Sequence, residues 1–154
     1  MDLIKADVKD DALIWKMQKT AFAELFAKYG DADTNPANEP LEKVTDRLKQ
    51  DFTYYYIIIV DGKSVGAIRV VDRKDGSPKR ISPVFILNDY RRNGYAHLAI
   101  IEAEKIHGET NWELETILQE DENCRLYESL GYIQTGKTEK INDKMTLVYY
   151  RKLE

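Results

Sequence analysis

The chain has 154 residues, 43% of them hydrophobic, which suffices for one domain whose core needs no metal or disulfide. Its 23 Lys and Arg against 27 Asp and Glu give a net charge of −4, which argues against a nucleic-acid partner because phosphate backbones require clustered cations. A single cysteine, Cys124, permits no intrachain disulfide, and neither the N-terminus nor the longest apolar run, Tyr54 to Val60, suits a signal peptide or a membrane span, so we expect a cytoplasmic protein.

The start of the chain predicts a short strand and a long helix. Apolar residues from Leu3 to Ala6 indicate the strand, and Asp10 or Asp11 is a suitable N-cap for a helix that ends near Tyr29. Gly30 is placed to end that helix as its C′ residue. The buried stripe of the helix is predicted from residues at helical spacing, which are Ile14, Met17, Ala21, Leu25 and Tyr29.

A polar loop, Gly30 to Glu39, separates this helix from a second one. Pro40 is placed where a first helical turn tolerates proline. Leu41, Val44 and Leu48 then recur at helical spacing and supply a second apolar stripe. We therefore expect two helices joined by a loop before the first hairpin.

From Phe52 the pattern changes to that of β-structure. Tyr54 to Val60 and Ser64 to Val71 predict two strands, joined through the hairpin signal Asp61-Gly62. A third strand is predicted over residues 80–87, in which Pro83 lacks a backbone donor and therefore indicates an edge, a strand start or a bulge.

In the rest of the chain, helices and strands alternate before a final hairpin. We expect a helix from Ala96 to His107, a strand from Trp112 to Leu118, a helix from Asp121 or Glu122 to Gly131, and strands Tyr132 to Lys140 and Met145 to Leu153. The predicted order is β-α-α-β-β-β-α-β-α-β-β. It requires a single α/β (α+β) domain over residues 1–154, with a mixed, mostly antiparallel sheet of about seven strands and about four flanking helices.

The segment with the clearest chemical meaning is the turn Arg91 to Ala96, between the third strand and its helix. A strand that passes into a helix through a turn containing glycine leaves backbone N–H groups unpaired, and the positive end of the helix also favours an anion. Gly94 permits positive φ and close approach to an anion, and Ala96 keeps that approach open. The pattern predicts a phosphate or pyrophosphate site.

Two motifs in this order resemble those of the GCN5-related N-acetyltransferase (GNAT) family. The spacing Arg-x-x-Gly-x-Ala in Arg91 to Ala96 is similar to the loop that grips the pyrophosphate of coenzyme A in that family. About thirty residues on, Leu126 to Tyr132 (LYESLGY) resembles the family's Leu-Tyr-x-x-Leu-Gly-Phe/Tyr signature, with Tyr127 at its first tyrosine. The resemblance covers Phe52 to Lys152 well, and the N-terminal third through element order alone.

The resemblance implies acetyl-CoA as co-substrate, without a metal, and it implies a set of binding residues. In the family the strand before the loop parts from its neighbour and binds the pantetheine arm, a position that Phe85, Ile86 and Leu87 occupy here. The implied pyrophosphate and adenosine contacts are Arg91, Arg92, Asn93, Gly94, Tyr95 and Ala96.

The reaction implied by the resemblance is acetyl transfer to a primary amine by direct attack on the thioester. Tyr127 matches the tyrosine that lies beside the sulfur and is expected to protonate the departing thiolate. Many members have an asparagine seven residues before this tyrosine, where this chain has Glu120, so Asn123 is a less secure cofactor contact. Glu115 and Glu39 are candidate general bases, acting directly or through water, and each is also explained as a solvated carboxylate.

The acceptor is expected to approach over a rim formed by residues 30–39 and the turn Asn142-Asp143. The acidic residues of that loop favour a small-molecule or peptide amine, such as a polyamine, amino sugar, amino acid or peptide N-terminus. His97 and His107 are too few and wrongly spaced for a metal site, and we predict them to be surface or cap residues. Neither a monomer nor a homodimer is favoured.

Two other interpretations are compatible with part of the pattern. A coenzyme A binding or sensor module would bind the cofactor without releasing thiol, whereas Tyr127 and the acidic rim favour turnover. A nucleotide-binding P-loop would require Gly-Lys-Ser/Thr after the turn, which this chain lacks.

Overall fold

A computed structural model describes all 154 residues, and its element order is the predicted one. The helices are α1 (Asp11–Tyr29), α2 (Leu41–Lys49), α3 (Tyr95–His107) and α4 (Asp121–Ser129). The strands are β1 (Asp2–Lys5), β2 (Thr53–Val60), β3 (Lys63–Val71), β4 (Lys79–Ile86), β5 (Trp112–Ile117), β6 (Ile133–Lys140) and β7 (Thr146–Lys152). The mixed α/β class with seven strands and four helices is thus confirmed.

All seven strands form one sheet in the order β1-β2-β3-β4-β5-β7-β6. Every neighbouring pair is antiparallel except β4 and β5, which the α3 crossover makes parallel. The β3–β4 register shifts between Ile68 and Val70, opposite Pro83, so of the three features predicted at this proline, an edge, a strand start or a bulge, the structure shows the bulge. Bulges of this kind turn a strand out of its ladder.

Strands β4 and β5 separate soon after they begin. Their only ladder pairs are Lys79 with Trp112 and Arg80 with Glu113. Beyond these pairs β4 continues to Ile86 beside β3, while β5 continues to Ile117 beside β7. We call the resulting opening between residues 81–86 and 114–117 the slot. It splits the sheet at its centre. Backbone N–H and C=O groups that face the slot have no partner strand.

The helices cover the two faces of the sheet with separate cores. On the face covered by α3 and α4, the larger core contains Tyr56, Ile68, Trp112 and Tyr127 among its sixteen buried residues. On the other face, which we call the α1/α2 face, Ile14, Val44, Tyr55 and Phe85 belong to a core of nine. No helix combines the length and the apolar character needed to cross a membrane.

Gly30 ends α1 as the sequence predicts. It adopts φ 64°, and its N–H donates to the carbonyl of Phe26 at 2.8 Å. Four of the five predicted stripe residues are buried, and Leu25 is partly buried. Gln18 is also fully buried, which the apolar pattern did not indicate.

The prediction that His107 is a surface or cap residue is wrong. Its ring is buried, with Nδ1 2.9 Å from Oδ2 of Asp72 and Nε2 2.8 Å from the hydroxyl of Tyr56. The sequence places His107 in the last turn of α3, where exposure is usual, but the two residues that contact its ring are distant in sequence. Two polar neighbours satisfy both ring nitrogens, which makes its burial tolerable.

Gly66 lets β3 and β4 approach closely beside the slot. A Cβ built on this residue lies 2.1 Å from the carbonyl oxygen of Phe85, so Gly66→Ala forces the two strands apart. We expect this substitution to lower the free energy of unfolding by about 2 kcal/mol, as overpacking does in well-packed cores. Chemical denaturation measures the change, with Ser64→Ala in the same strand as the control. Equal stability of the two variants would contradict the close approach.

Candidate active site

The turn from β4 to α3 presents an uninterrupted row of free backbone donors. None of the N–H groups from Arg92 to His97 donates a hydrogen bond within the protein. The turn is shaped by two residues with positive φ, Arg92 at 65° and Gly94 at 76°, and Gly94 is the N-cap of α3. A Cβ on Gly94 would meet no atom within 4 Å. Six free donors at the positive end of a 13-residue helix are suited to bind an anion.

The side chains of this turn divide into fixed and free groups. Arg91 is fixed, because its Nε donates to the carbonyl of Ile86 at 2.8 Å and its Nη2 donates to the carbonyl of Ala21 at 2.9 Å. Asn93 donates to the carbonyl of Tyr90 at 2.9 Å and closes the turn. The guanidinium of Arg92 has no protein partner. It is therefore the cation that remains available to a bound anion.

The strand that precedes the turn forms one edge of the slot. Phe85 points to the α1/α2 face, where its ring meets Phe22 edge to face at 5.7 Å, and Ile86 points to the opposite core. Leu87 packs against the core that contains Phe85, and its N–H donates to the carbonyl of Val65 at 2.8 Å. These contacts hold the strand against β3 and leave its other edge facing the slot.

Tyr127 lies on the α3/α4 face of the sheet. It shares a core with Ile86 and Leu114, which come from the two strands that border the slot. Its ring is 6.0 Å from that of Tyr132 and 6.2 Å from that of Tyr150, and only 8% of the residue is exposed. Burial, with a smaller contribution from Cys124, raises the pKa of the Tyr127 hydroxyl well above its usual range. The hydroxyl therefore keeps its proton at neutral pH.

The two polar residues before Tyr127 have different surroundings. Asn123 is partly buried, and its side chain makes no hydrogen bond within the protein. Glu120 accepts hydrogen bonds from Lys28 at 2.7 Å and from the hydroxyl of Tyr29. Glu120 thereby ties the end of α1 to the turn between β5 and α4, which gives it a structural role.

Glu115 lies on β5 at the border of the slot and is held by Arg80. Nη2 of Arg80 donates to both carboxylate oxygens, at 2.8 and 2.6 Å, and Nη1 lies 3.6 Å from Glu113. The side chain of Glu115 is 27% exposed, so solvent still reaches it. The arginine fixes the orientation of this carboxylate on the α1/α2 face.

Glu39 lies at the end of the polar loop and is more enclosed. Its Oε2 is 2.7 Å from Nη2 of Arg47, at an angle that does not form a hydrogen bond, and its Oε1 accepts from Gln18 at 3.4 Å. Trp15 donates to its backbone carbonyl at 2.8 Å. These contacts bind the loop to α1 and α2.

The β6–β7 turn, which is one part of the predicted rim, reaches the end of α1. Asn142 donates to the carbonyl of Tyr29 at 2.8 Å, so the β6–β7 turn contacts the end of α1 where the polar loop begins. A small core of Tyr29, Ile117 and Met145 lies beneath this contact. No group of three or more His, Cys, Asp or Glu side chains is placed to hold a metal ion.

Sequence reasoning missed three polar residues of the α1/α2 face, which are Gln18, Arg69 and Arg80. Arg69 was detectable, since it is the only charge between Ser64 and Val71 in an otherwise apolar strand. Arg80 and Gln18 gave no such signal, because a charge at a strand start and a glutamine in a helix are both ordinary.

Solved structures with this fold are acetyltransferases of low sequence identity. PaiA N-acetyltransferase from Thermoplasma acidophilum, solved with coenzyme A, has a TM-score of 0.77 and 12% identity, covering 98% of each chain. Ribosomal-protein-alanine N-acetyltransferase from Brucella melitensis has a TM-score of 0.76 and 15% identity over the whole of both chains. A chimera of Vibrio cholerae spermidine N-acetyltransferase has a TM-score of 0.71 and 12% identity, covering 97% of this chain and 94% of that one.

No curated protein sequence matches the chain closely enough to count as a relative. The profile of one family, described as an acetyltransferase (GNAT) domain, matches residues 25–154. That range contains the donor turn, the slot and Tyr127. The chain therefore belongs to the GNAT family of acetyltransferases.

Proposed function

We propose that this protein transfers the acetyl group of acetyl-CoA to a primary amine of a small molecule or peptide. The observation that supports this most strongly is the row of six free N–H groups from Arg92 to His97, at the end of the open slot. A diphosphate at this row is neutralised by backbone donors, by the helix end and by Arg92. The edge of β4 then binds an extended pantetheine arm as an added strand would.

Two residues are proposed to move protons on opposite faces of the slot. The amine nitrogen forms a C–N bond with the acetyl carbon, and the C–S bond breaks. Glu115, on the α1/α2 face, accepts the proton that the amine loses, directly or through water. Tyr127, on the α3/α4 face, donates the proton of its hydroxyl to the departing thiolate.

Glu39 remains an alternative base, but its contacts favour another role. Arg47 and Gln18 both hold its carboxylate, and its side chain is only 16% exposed. We propose that it orders the loop over which the acceptor approaches. Asn123, with its side chain unbonded, stays a proposed contact of the cofactor.

Measuring free thiol tests this function directly. Acetyl-CoA is incubated with a panel of polyamines, amino sugars, amino acids and peptides, and thiol release is followed with and without enzyme. The proposal predicts release that depends on a particular amine, together with acetylated amine detected by mass spectrometry. Cofactor binding without thiol release for any amine would instead identify a coenzyme A binding module.

Glu115→Gln is expected to lower kcat by roughly 30-fold, since water replaces part of the base's contribution. Affinity for coenzyme A should not change, because the carboxylate lies on the acceptor side of the slot. Glu113→Gln is the matched control, as it also removes a carboxylate near Arg80 but lies before the slot opens. Equal kcat values for the two variants would remove Glu115 from the mechanism.

A further inference from the structure

Arg69 is a partly buried cation without a counter-ion on the α1/α2 face. Its Nε donates to the carbonyl of Ser82, while neither terminal nitrogen has a protein partner. Arg47 and Arg80, on the same face, each have a carboxylate at 2.7 Å or less. Loss of surrounding water lowers the pKa of Arg69 to about 10, which still leaves it charged at neutral pH. A desolvated guanidinium with free donors is suited to bind an anion.

The surroundings of Arg69 contain further unused polar atoms. Tyr55 lies directly opposite it in the β2–β3 ladder, and its buried hydroxyl has no hydrogen-bond partner. Oε1 of Gln18 is also buried without one. Buried polar groups are normally paired, so these two atoms are hydrogen-bonding capacity that the protein leaves unused on the α1/α2 face.

The charge on this face changes sign across the slot. On β3 the unpaired Arg69 is positive, whereas on β5 two carboxylates, Glu113 and Glu115, share the single cation Arg80. Strand β4 lies between the positive group on β3 and the carboxylates on β5, and its Ser82 carbonyl accepts a hydrogen bond from Arg69. Paired strands are spaced by about 4.8 Å, and β4 and β5 part beyond Arg80 and Glu113, so the β3 and β5 backbones lie more than about 10 Å apart at Arg69 and Glu115. The two long side chains extend from the same face of the sheet, which leaves room for a small ligand between them.

We propose that Arg69 binds a carboxylate of the acceptor, so that the acceptor is an amino acid. This inference rests on the proposed acetyl transfer, and it narrows the acceptor class. The amino group faces Glu115 at the slot, and the carboxylate faces Arg69 and the hydroxyl of Tyr55. A polyamine fits this arrangement poorly, because its second ammonium group would meet the arginine.

Matched pairs of ligands test the inference. The standard L-amino acids, β-alanine and 4-aminobutyrate are each compared with the corresponding carboxamide, and spermidine represents acceptors without a carboxylate. Binding is measured by calorimetry in the presence of coenzyme A, and thiol release is measured separately with acetyl-CoA. At least one acid should bind about 30-fold more tightly than its amide. This ratio corresponds to the free energy that charge-assisted hydrogen bonds to a carboxylate usually contribute.

Arg69→Gln should reduce this preference to about 3-fold or less, and Arg69→Lys should restore part of it. Unchanged coenzyme A affinity shows that each variant is folded. The inference is overturned if acids and amides bind equally, if no acid binds, or if the preference survives in Arg69→Gln. If acids bind more tightly than their amides but no amine causes thiol release, the proposed transfer is rejected and the carboxylate site stands.

Discussion

Gly94→Val is expected to weaken the binding of coenzyme A by about 100-fold, or roughly 3 kcal/mol. Gly94 holds φ 76° at the N-cap of α3, a conformation that a β-branched residue adopts only with strain. Relief of that strain rotates the N–H groups of the turn away from a common point. The new side chain also occupies the open space in front of those donors. Calorimetric titration with coenzyme A measures the loss.

Gly76→Val is the matched control for this prediction. Gly76 also has positive φ, 88°, with no atom within 4 Å of a built Cβ, but it lies in the loop between β3 and β4. Both substitutions impose similar backbone strain, and only the first changes the donor turn. Similar affinities of the two variants for coenzyme A would show that the turn does not hold the cofactor.

Tyr127→Phe is expected to lower kcat by about 100-fold, which is the usual contribution of a general acid. The substitution removes only the hydroxyl, and the ring keeps its place between Tyr132 and Tyr150. Affinity for coenzyme A should therefore change little. Steady-state thiol release gives kcat, and calorimetry gives the affinity.

Tyr132→Phe separates catalysis from packing in this experiment. The hydroxyl of Tyr132 donates to Glu104 at 2.9 Å in the same core, and Glu104 also pairs with Lys152 at 2.8 Å. Its loss should reduce stability by about 1 to 3 kcal/mol, because Glu104 loses a buried partner, with kcat nearly unchanged. If both variants lose kcat to the same extent, Tyr127 acts through packing alone.

The fold could be predicted because its signals are local in the sequence. Gly30 ends α1, Asp61-Gly62 turns the first hairpin, and Pro83 marks the bulge in β4, each through the backbone chemistry of one or two residues. The donor turn is equally local, since one glycine and the start of a helix define it. Such features need no knowledge of distant partners.

The features that could not be predicted depend on residues far apart in the chain. His107 is buried because Tyr56 of β2 and Asp72, just after β3, contact its ring. The pairing of Glu115 with Arg80 joins residues 35 positions apart, and that of Glu39 with Arg47 depends on the path of a loop. Apolar patterns say which face of a strand is buried, but they do not say which buried charges will be paired.

The most direct measurement is an NMR titration of the ¹⁵N-labelled protein with coenzyme A. We expect saturable binding, with the largest changes in amide shift from Arg92 to His97, whose N–H groups are free. Weaker changes are expected along Phe85 to Leu87, where the pantetheine arm is proposed to lie. Absence of binding, or binding that leaves the amides of Arg92 to His97 unshifted, would contradict the account.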